Sequence, residues 1–447
     1  MTEARPATVA SPAGVAGGER RASRNRGLDG IRGVAAAMVV AHHLALCGGW
    51  MSDPFAEQPA ISSGFERAMT YSPLHLLWAG GEAVFVFFVL SGYVLARTDV
   101  STPRRTAGFV GKRFVRLYVP AAAAIALATV QFVLIRRRAG EEDGWLRWHG
   151  TALGWSDPLQ LATLVTDTGQ QVDSVLWSLR WEVLFSAVVP IALACLALAI
   201  GRRAPYVATA LCACIALSIY QSTGVLFYLP MFLLGTLAAL NEAAIGRRVD
   251  RLRRHVPDGA LAAIALVLAA LMLSVRWWAN PVRLTDVHAV QQALAGLEQL
   301  VVVLGACVAV LAVVHVASAR RFLEAGVLLR LGSRSFSLYL VHEPVIVSVA
   351  QRFDPQHRPL DFLVVSLVVI AVVTEVFYRL VERPSIALAR HVHARIVAGE
   401  SAPSPATAGR AAFRRRGRRA PPPRRRAAGG GGWRRWPRHR PARRAGG

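Results

Sequence analysis

Lysine is almost absent from this chain: Lys112 is the only one among 447 residues, and the other basic residues are arginine. That bias fits GC-rich coding as much as any function. Acid is scarce as well, with 27 Asp and Glu against 52 Lys and Arg, for a formal charge of +25. Such a charge would suggest nucleic acid, but most of it is local. Residues 410–447 hold fifteen Arg and no acid, leaving +10 for the rest of the chain. The tail, "RRRGRRAPPPRRRAAGGGGWRRWPRHRPARR", is low-complexity and cannot build a core. No nucleic-acid-binding fold accompanies it, so anionic lipid headgroups are its expected partner rather than nucleic acid. The five cysteines, Cys47, Cys195, Cys212, Cys214 and Cys307, sit in apolar surroundings at spacings that fit no metal site. An odd number also leaves no complete disulfide frame, so they read as small apolar residues. Residues 1–27 lack the apolar core and cleavage site of a secretory signal.

What is plentiful is apolar residue: 54% of the chain, with a mean hydropathy of +0.38. About 20 apolar residues span the hydrocarbon core of a bilayer. Ten runs qualify as candidates, near 31–50, 76–97, 117–136, 176–199, 204–221, 223–241, 259–275, 292–316, 334–352 and 361–381. The expected fold is an all-α, polytopic transmembrane bundle of about ten spans. With the N-terminus inside, the inner segments carry 22 basic residues before the tail and the outer loops carry 9. Positive charge favours the cytoplasmic side, which predicts both termini there. The exception is Arg136–Arg138, at an outer end, where long side chains can snorkel to headgroups. Three regions follow: a disordered tail over 1–27, a membrane domain over 28–388, and an Arg/Pro/Gly-rich tail over 389–447. No repeat of 20–50 residues stands out.

Ionisable groups inside such runs are costly, and mark candidate sites. In "RGLDGIRGVAAAMVVAHHLALCGG", Arg32 and His43 are eleven residues apart, within about 20° of three full helical turns. They share one face, about 16 Å apart along the axis; His42 points about 100° away. Arg32 reads either as a snorkelling anchor or as an anion holder. His43 reads either as a helix–helix hydrogen bond or as a general base, since a neutral imidazole can be buried and still take a proton near pH 7. Ser91-Gly92 in "FVFFVLSGYVLAR" is a small notch for a neighbouring backbone or a substrate, with Glu82 near the outer end. In "GKRFVRLYVP", Arg113 and Arg116 share a face at i, i+3. Topology alone explains such a pair, and so does phosphate recognition. Glu182, among Trp177, Trp181 and Phe185, should face the interior with a partner such as Arg180 or an Arg on another helix. His342-Glu343-Pro344, near Tyr339, predicts a polar cavity at a helix break. Glu375 and Arg379, at i, i+4, read as structural, as does Glu382-Arg383-Pro384, which closes the bundle.

Taken in order, "LDGIRGVAAAMVVAHH", "FFVLSGYVLA", "KRFVRLYVP", "LWSLRWE" and "LGSRSFSLYLVHEPV" resemble the acyltransferase 3 family of integral membrane acyltransferases. The resemblance covers roughly residues 27–388. It implies transfer of an acyl group, often acetyl, from cytoplasmic acyl-CoA to a hydroxyl on a cell-surface polysaccharide, peptidoglycan, a lipid-linked glycan or a secreted metabolite. It also implies a bacterial cytoplasmic membrane as the location. The family's Arg–x10–His pattern falls on Arg32 and His43, its Arg-x-x-Arg on Arg113 and Arg116, and its Trp-Ser-Leu-x-x-Glu on Trp177, Ser178, Leu179 and Glu182. There are departures. Phe85 stands where many members carry an acid three before Phe-Val-Leu-Ser-Gly, with the acid displaced to Glu82. Arg180 replaces a commoner small residue, and no fused hydrolase-like domain is seen.

The expected site follows. His43 is the base and Arg32 its partner in catalysis. Arg113 and Arg116 bind the phosphates of acyl-CoA. Ser91, Trp177, Glu182, Tyr339 and His342 line the substrate, with Tyr339, Ser91 or His342 stabilising the oxyanion. No metal is required. The competing classes are a transporter or flippase, and an inactive homologue that acts as an assembly partner.

Overall fold

A computed structural model describes residues 25–398, apart from 48–62, 136–144, 150–153, 155, 165–170, 199, 222–223 and 280–286. The tail expectations before residue 25 and after 398, and those for Arg136–Arg138, lie outside the described residues. Residues 389–398, expected within the disordered tail, instead continue the helix Arg383–Ala398, held by packing of Val392, His393, Ile396 and Val397 against Gly108 and Gly111. The described chain contains no β-strand. Its helices are α1 (Gly27–Leu46), α2 (Gly64–Thr70), α3 (Gly80–Leu95), α4 (Pro103–Leu134), α5 (Leu146–His149), α6 (Asp157–Ala162), α7 (Leu176–Ala197) and α8 (Ala204–Gln221). Then come α9 (Gly224–Leu240), α10 (Glu242–Leu252), α11 (Asp258–Ala279), α12 (His288–His315), α13 (Ala317–Leu323), α14 (Gly326–Ala350), α15 (Pro359–Phe377) and α16 (Arg383–Ala398). A 3-10 turn, Pro73–Trp78, precedes α3, and a π-helical segment, Tyr378–Glu382, joins α15 to α16.

Each of the ten expected runs is a helix. Among the described residues, six helical stretches are long and apolar enough to cross a membrane by length and composition: those containing α4, α7, α8, α11, α12 and α15. Helix α9 makes a seventh if it is counted with α10, from which it is bent by 73°. The expected count of about ten is therefore only partly matched. Helix α3 has 16 residues, short of the span length. Helices α1 and α14 carry the polar groups that mark the candidate site.

Helix α1 packs on α14 and α3, and α3 packs on α9. The α1–α14 contact is close because glycine permits it. A Cβ on Gly332 would stand 1.8 Å from the Asp29 carbonyl oxygen, and one on Gly92 of α3 would stand 1.9 Å from that of Phe232 in α9. Gly92 thus fills the notch expected of Ser91-Gly92 with a neighbouring backbone. Helix starts follow local chemistry: Pro103 begins α4, and Thr102 Oγ1 accepts from the Arg105 amide at 3.2 Å. Ser63 and Glu66 form a capping box on α2. Pro344 leaves α14 continuous to Ala350, so the expected break does not occur.

Candidate active site

The close α1–α14 packing brings His43 against His342. Both rings are buried. His342 Nδ1 lies 3.0 Å from the Leu338 carbonyl oxygen, one turn back on its own helix. A carbonyl can only accept, so Nδ1 carries the proton and Nε2 of neutral His342 carries a lone pair. That Nε2 lies 3.0 Å from His43 Nδ1, which also lies 3.0 Å from the Val39 carbonyl oxygen. Two acceptors face His43 Nδ1, so it is the donor, shared between them. The proton assignments follow from these acceptors. They leave His43 Nε2 as the unprotonated, basic nitrogen of the pair.

Around His43 stand Trp145, with ring centroids 5.3 Å apart, and His42, edge-on at 5.2 Å. The divergence expected of the two adjacent histidines is visible: His42 Nδ1 donates to the Trp78 carbonyl oxygen at 3.0 Å, in the 3-10 turn. That turn forms an aromatic cap. His75 stacks on Trp277 at 3.8 Å and lies 4.4 Å from Trp78, and neither of its ring nitrogens has a hydrogen-bond partner. Burial pushes the His75 imidazole down to about 3, and His42 adds to the shift. Glu82 closes the cap, accepting from Trp277 Nε1 at 2.9 Å.

Glu343 is separated from His342 in role. Its carboxylate accepts from the amides of Ser174 at 3.1 Å and Val175 at 2.8 Å, capping the start of α7 from α14. His149 Nε2 stands 3.3 Å from the same carboxylate. Asp173 is buried beside it with no hydrogen bond to either oxygen. Burial, and then the Glu343 charge, hold the Asp173 carboxyl well above the usual range. Tyr339 donates to the Val175 carbonyl oxygen at 2.9 Å and lies 2.6 Å from Ser178 Oγ. Its hydroxyl proton is committed there, tying α14 to α7.

At the other end of α1, Arg32 pairs with Asp29 at 3.1 Å. Glu182 of α7 accepts from Arg113 at 2.8 Å and from Ser91 Oγ at 3.0 Å, and Arg113 Nε donates to Ser186 Oγ at 2.9 Å. Glu182 thus has the interior Arg partner expected of it, and it is Arg113 rather than Arg180. Arg116, one turn further along α4, has no ion pair or hydrogen bond among the described residues. It lies within electrostatic reach of Arg32, Arg113, Glu182 and Glu382. Trp177 stands apart from both groups, packed on Tyr228 at 5.2 Å and Phe88 at 6.2 Å. Among the described residues no His, Cys, Asp and Glu cluster is placed to hold a metal ion.

The structure therefore joins His43 of α1 with His342 of α14, and, toward the Arg32 end of α1, it gathers Arg113 and Arg116 of α4, Glu182 of α7 and Ser91 of α3. Sequence reasoning missed Trp145, His149 and Asp173, which lie in a stretch read only as an outer loop. The one available signal was the aromatic density of "WLRWHG".

Several apolar helices, with buried imidazoles at one end of α1 and guanidinium groups toward the other, define a multi-pass membrane protein. A family model described as an acyltransferase domain matches residues 25–378, and the chain belongs to that acyltransferase 3 family. No curated protein and no solved structure matches the chain.

Proposed function

We propose that the protein transfers an acyl group, acetyl in the simplest case, from acyl-CoA to a hydroxyl of a cell-surface glycan, a lipid-linked sugar or a secreted metabolite. The observation that carries this reading is the His43–His342 pair, which leaves one basic ring nitrogen inside a chain of an acyltransferase family. The Arg32 end of α1 faces the cytoplasm, with both termini inside and the chain in the cytoplasmic membrane of a bacterium. The Arg-rich tail rests on anionic lipid.

The donor's phosphates enter on Arg116, with Arg32 beside it. Arg113 works indirectly, holding Glu182 and Ser91 in place. The pantetheine arm covers the roughly 16 Å of helix between Arg32 and His43. His43 Nε2 removes the proton of the acceptor hydroxyl, and the oxygen adds to the thioester carbonyl. While His43 is an imidazolium, its Nδ1–H still points at the lone pair of His342. The tetrahedral intermediate then expels CoA thiolate, which takes the proton back from His43 Nε2. The products are the ester and CoA thiol, and His43 is neutral again.

The test uses the full chain in lipid nanodiscs with labelled acetyl-CoA, and small glycosides and extracted glycans as acceptors. Wild type transfers label; His43→Ala loses about a hundredfold or more, the lower range for general-base catalysis. Transport of label without ester formation, or undiminished transfer by His43→Ala, would overturn the reading.

A further inference from the structure

Several cations toward the Arg32 end of the bundle are paired with acids. Arg97 pairs with Glu242 at 2.6 Å, Arg113 with Glu182 at 2.8 Å, and Arg334 and Arg379 both with Glu375. Arg105 pairs with Asp99. Lys112, Arg116 and Arg390 have no ion pair or hydrogen bond among the described residues. Lys112 is half-buried all the same, and it stands within electrostatic reach of Arg113, Arg116 and Arg390. Like charges left together repel, and the acids within reach of Arg116, Glu182 and Glu382, are already bonded to Arg113 and to the Ser337 amide.

The backbone explains why Arg390 is there. Helix α16 runs along the first third of α4. A Cβ on Gly108 would meet His393 at 2.9 Å and Val397 at 3.0 Å, and one on Gly111 would meet Ile396 at 3.1 Å and Val392 at 3.2 Å. Arg390 lies three residues before His393 and seven before Val397, on the same stripe of α16. Lys112 lies four after Gly108 on the matching stripe of α4, and Arg116 four after that. The two stripes therefore carry Arg390, Lys112 and Arg116 in a row, and Arg116 in turn reaches Arg32. Helix α16 begins beyond residue 378, where the family match ends.

We propose that α16 completes the donor site: Lys112 and Arg390 bind the phosphate farthest from the thioester, the 3′-phosphate of acyl-CoA, while Arg116 holds the diphosphate. This rests on the acyl-CoA reading above. The order of charges matches the order of groups in the ligand. The thioester ends at His43, the pantetheine passes Arg32, the diphosphate follows, and the ribose 3′-phosphate comes last. A phosphate monoester carries close to two negative charges at pH 7 and suits a cluster of two cations on separate helices.

The experiment measures binding of CoA and of 3′-dephospho-CoA to the full chain in nanodiscs, for wild type, Lys112→Gln, Arg390→Gln and Arg395→Gln. Wild type should prefer CoA by about tenfold, the value of one charge-assisted contact. Lys112→Gln and Arg390→Gln should each lose most of that preference, binding dephospho-CoA within about twofold of wild type. Arg395, about 140° around α16 from Arg390, should give no change. In turnover, both loss variants should raise KM for the donor and leave kcat unchanged. Equal loss for the two ligands, or no loss, overturns the assignment while leaving the donor reading intact. Wild type that binds neither ligand overturns both.

Discussion

Helices α14 and α8 are built on opposite plans. From Ser337 to Ala350, every residue of α14 is buried, including His342, Glu343 and Ser348. Helix α8 is mostly apolar, yet only 11% of its spanning window is buried within the molecule. A soluble protein reverses this order, hiding its most apolar helix and wetting its polar one. Where the outer solvent is lipid, apolar side chains are content outside and polar groups must find partners inside. Helix α8 lies on the outer wall, while α14 holds its polar groups inside.

The sharpest way to break that arrangement is at the α1–α14 contact. Gly332→Val places a branched side chain where even a Cβ would lie 1.8 Å from the Asp29 carbonyl oxygen. Backbone cannot yield as a flexible side chain can, so the two helices must separate. A loss of about 3 kcal/mol or more is expected, the range of severe overpacking. The midpoint of thermal unfolding in detergent should fall sharply, and with it any activity that needs the 3.0 Å His43–His342 contact. An unchanged midpoint would show that this packing does not support the site.

The same contrast explains what was legible in the sequence. Each of the ten apolar runs fell on a described helix, because apolar runs are what hydropathy measures, although only six or seven of the helices qualify as spans. Polar residues within the runs then pointed to two groups: His43 meets His342, and Glu182 meets Arg113 toward the Arg32 end of α1. Helical periodicity also separated His42 from His43 correctly. Periodicity within one helix cannot say which helix is opposite. The partner of Glu182 was therefore open until α4 was seen to deliver Arg113, and the partner of His43 until α14 delivered His342. His342-Glu343 looked like one pair, but neighbours on a helix diverge by about 100°. They serve α1 and α7 respectively. Trp145 and His149 escaped because a short loop helix carries no hydropathy signal.

An intermediate effect is expected at the aromatic cap. His75 is folded with its imidazole held neutral, down at about 3 rather than 6.5. The unfolded chain therefore binds the extra proton first as pH falls. Its contribution is intact above pH 6.5 and is lost progressively below, down to about pH 3. At pH 5 the loss is about 2 kcal/mol. His75→Phe keeps an aromatic ring between Trp78 and Trp277 and removes the titration. Compared by thermal unfolding at pH 7 and pH 5, wild type should lose about 2 kcal/mol more than the variant. Equal losses would mean that His75 is not the group that weakens the cap in acid.

The smallest effect belongs to the wall. Leu217 of α8 is 57% exposed and lines a groove of about 450 Å³ with Ala213, Cys214, Tyr220, Gln221 and Leu226. In a soluble core, Leu→Ala costs about 2–5 kcal/mol, because the cavity stays empty. Here the removed methyl groups were already facing acyl chains, which can fill the space left behind. Leu217→Ala should therefore cost less than about 0.5 kcal/mol, the usual range for a surface site. Unfolding in nanodiscs measures it. A cost in the range of a soluble core would place another part of the protein, or a second chain, against α8. The wall would then be a buried interface, and the division between apolar outside and polar inside would have to be redrawn around it.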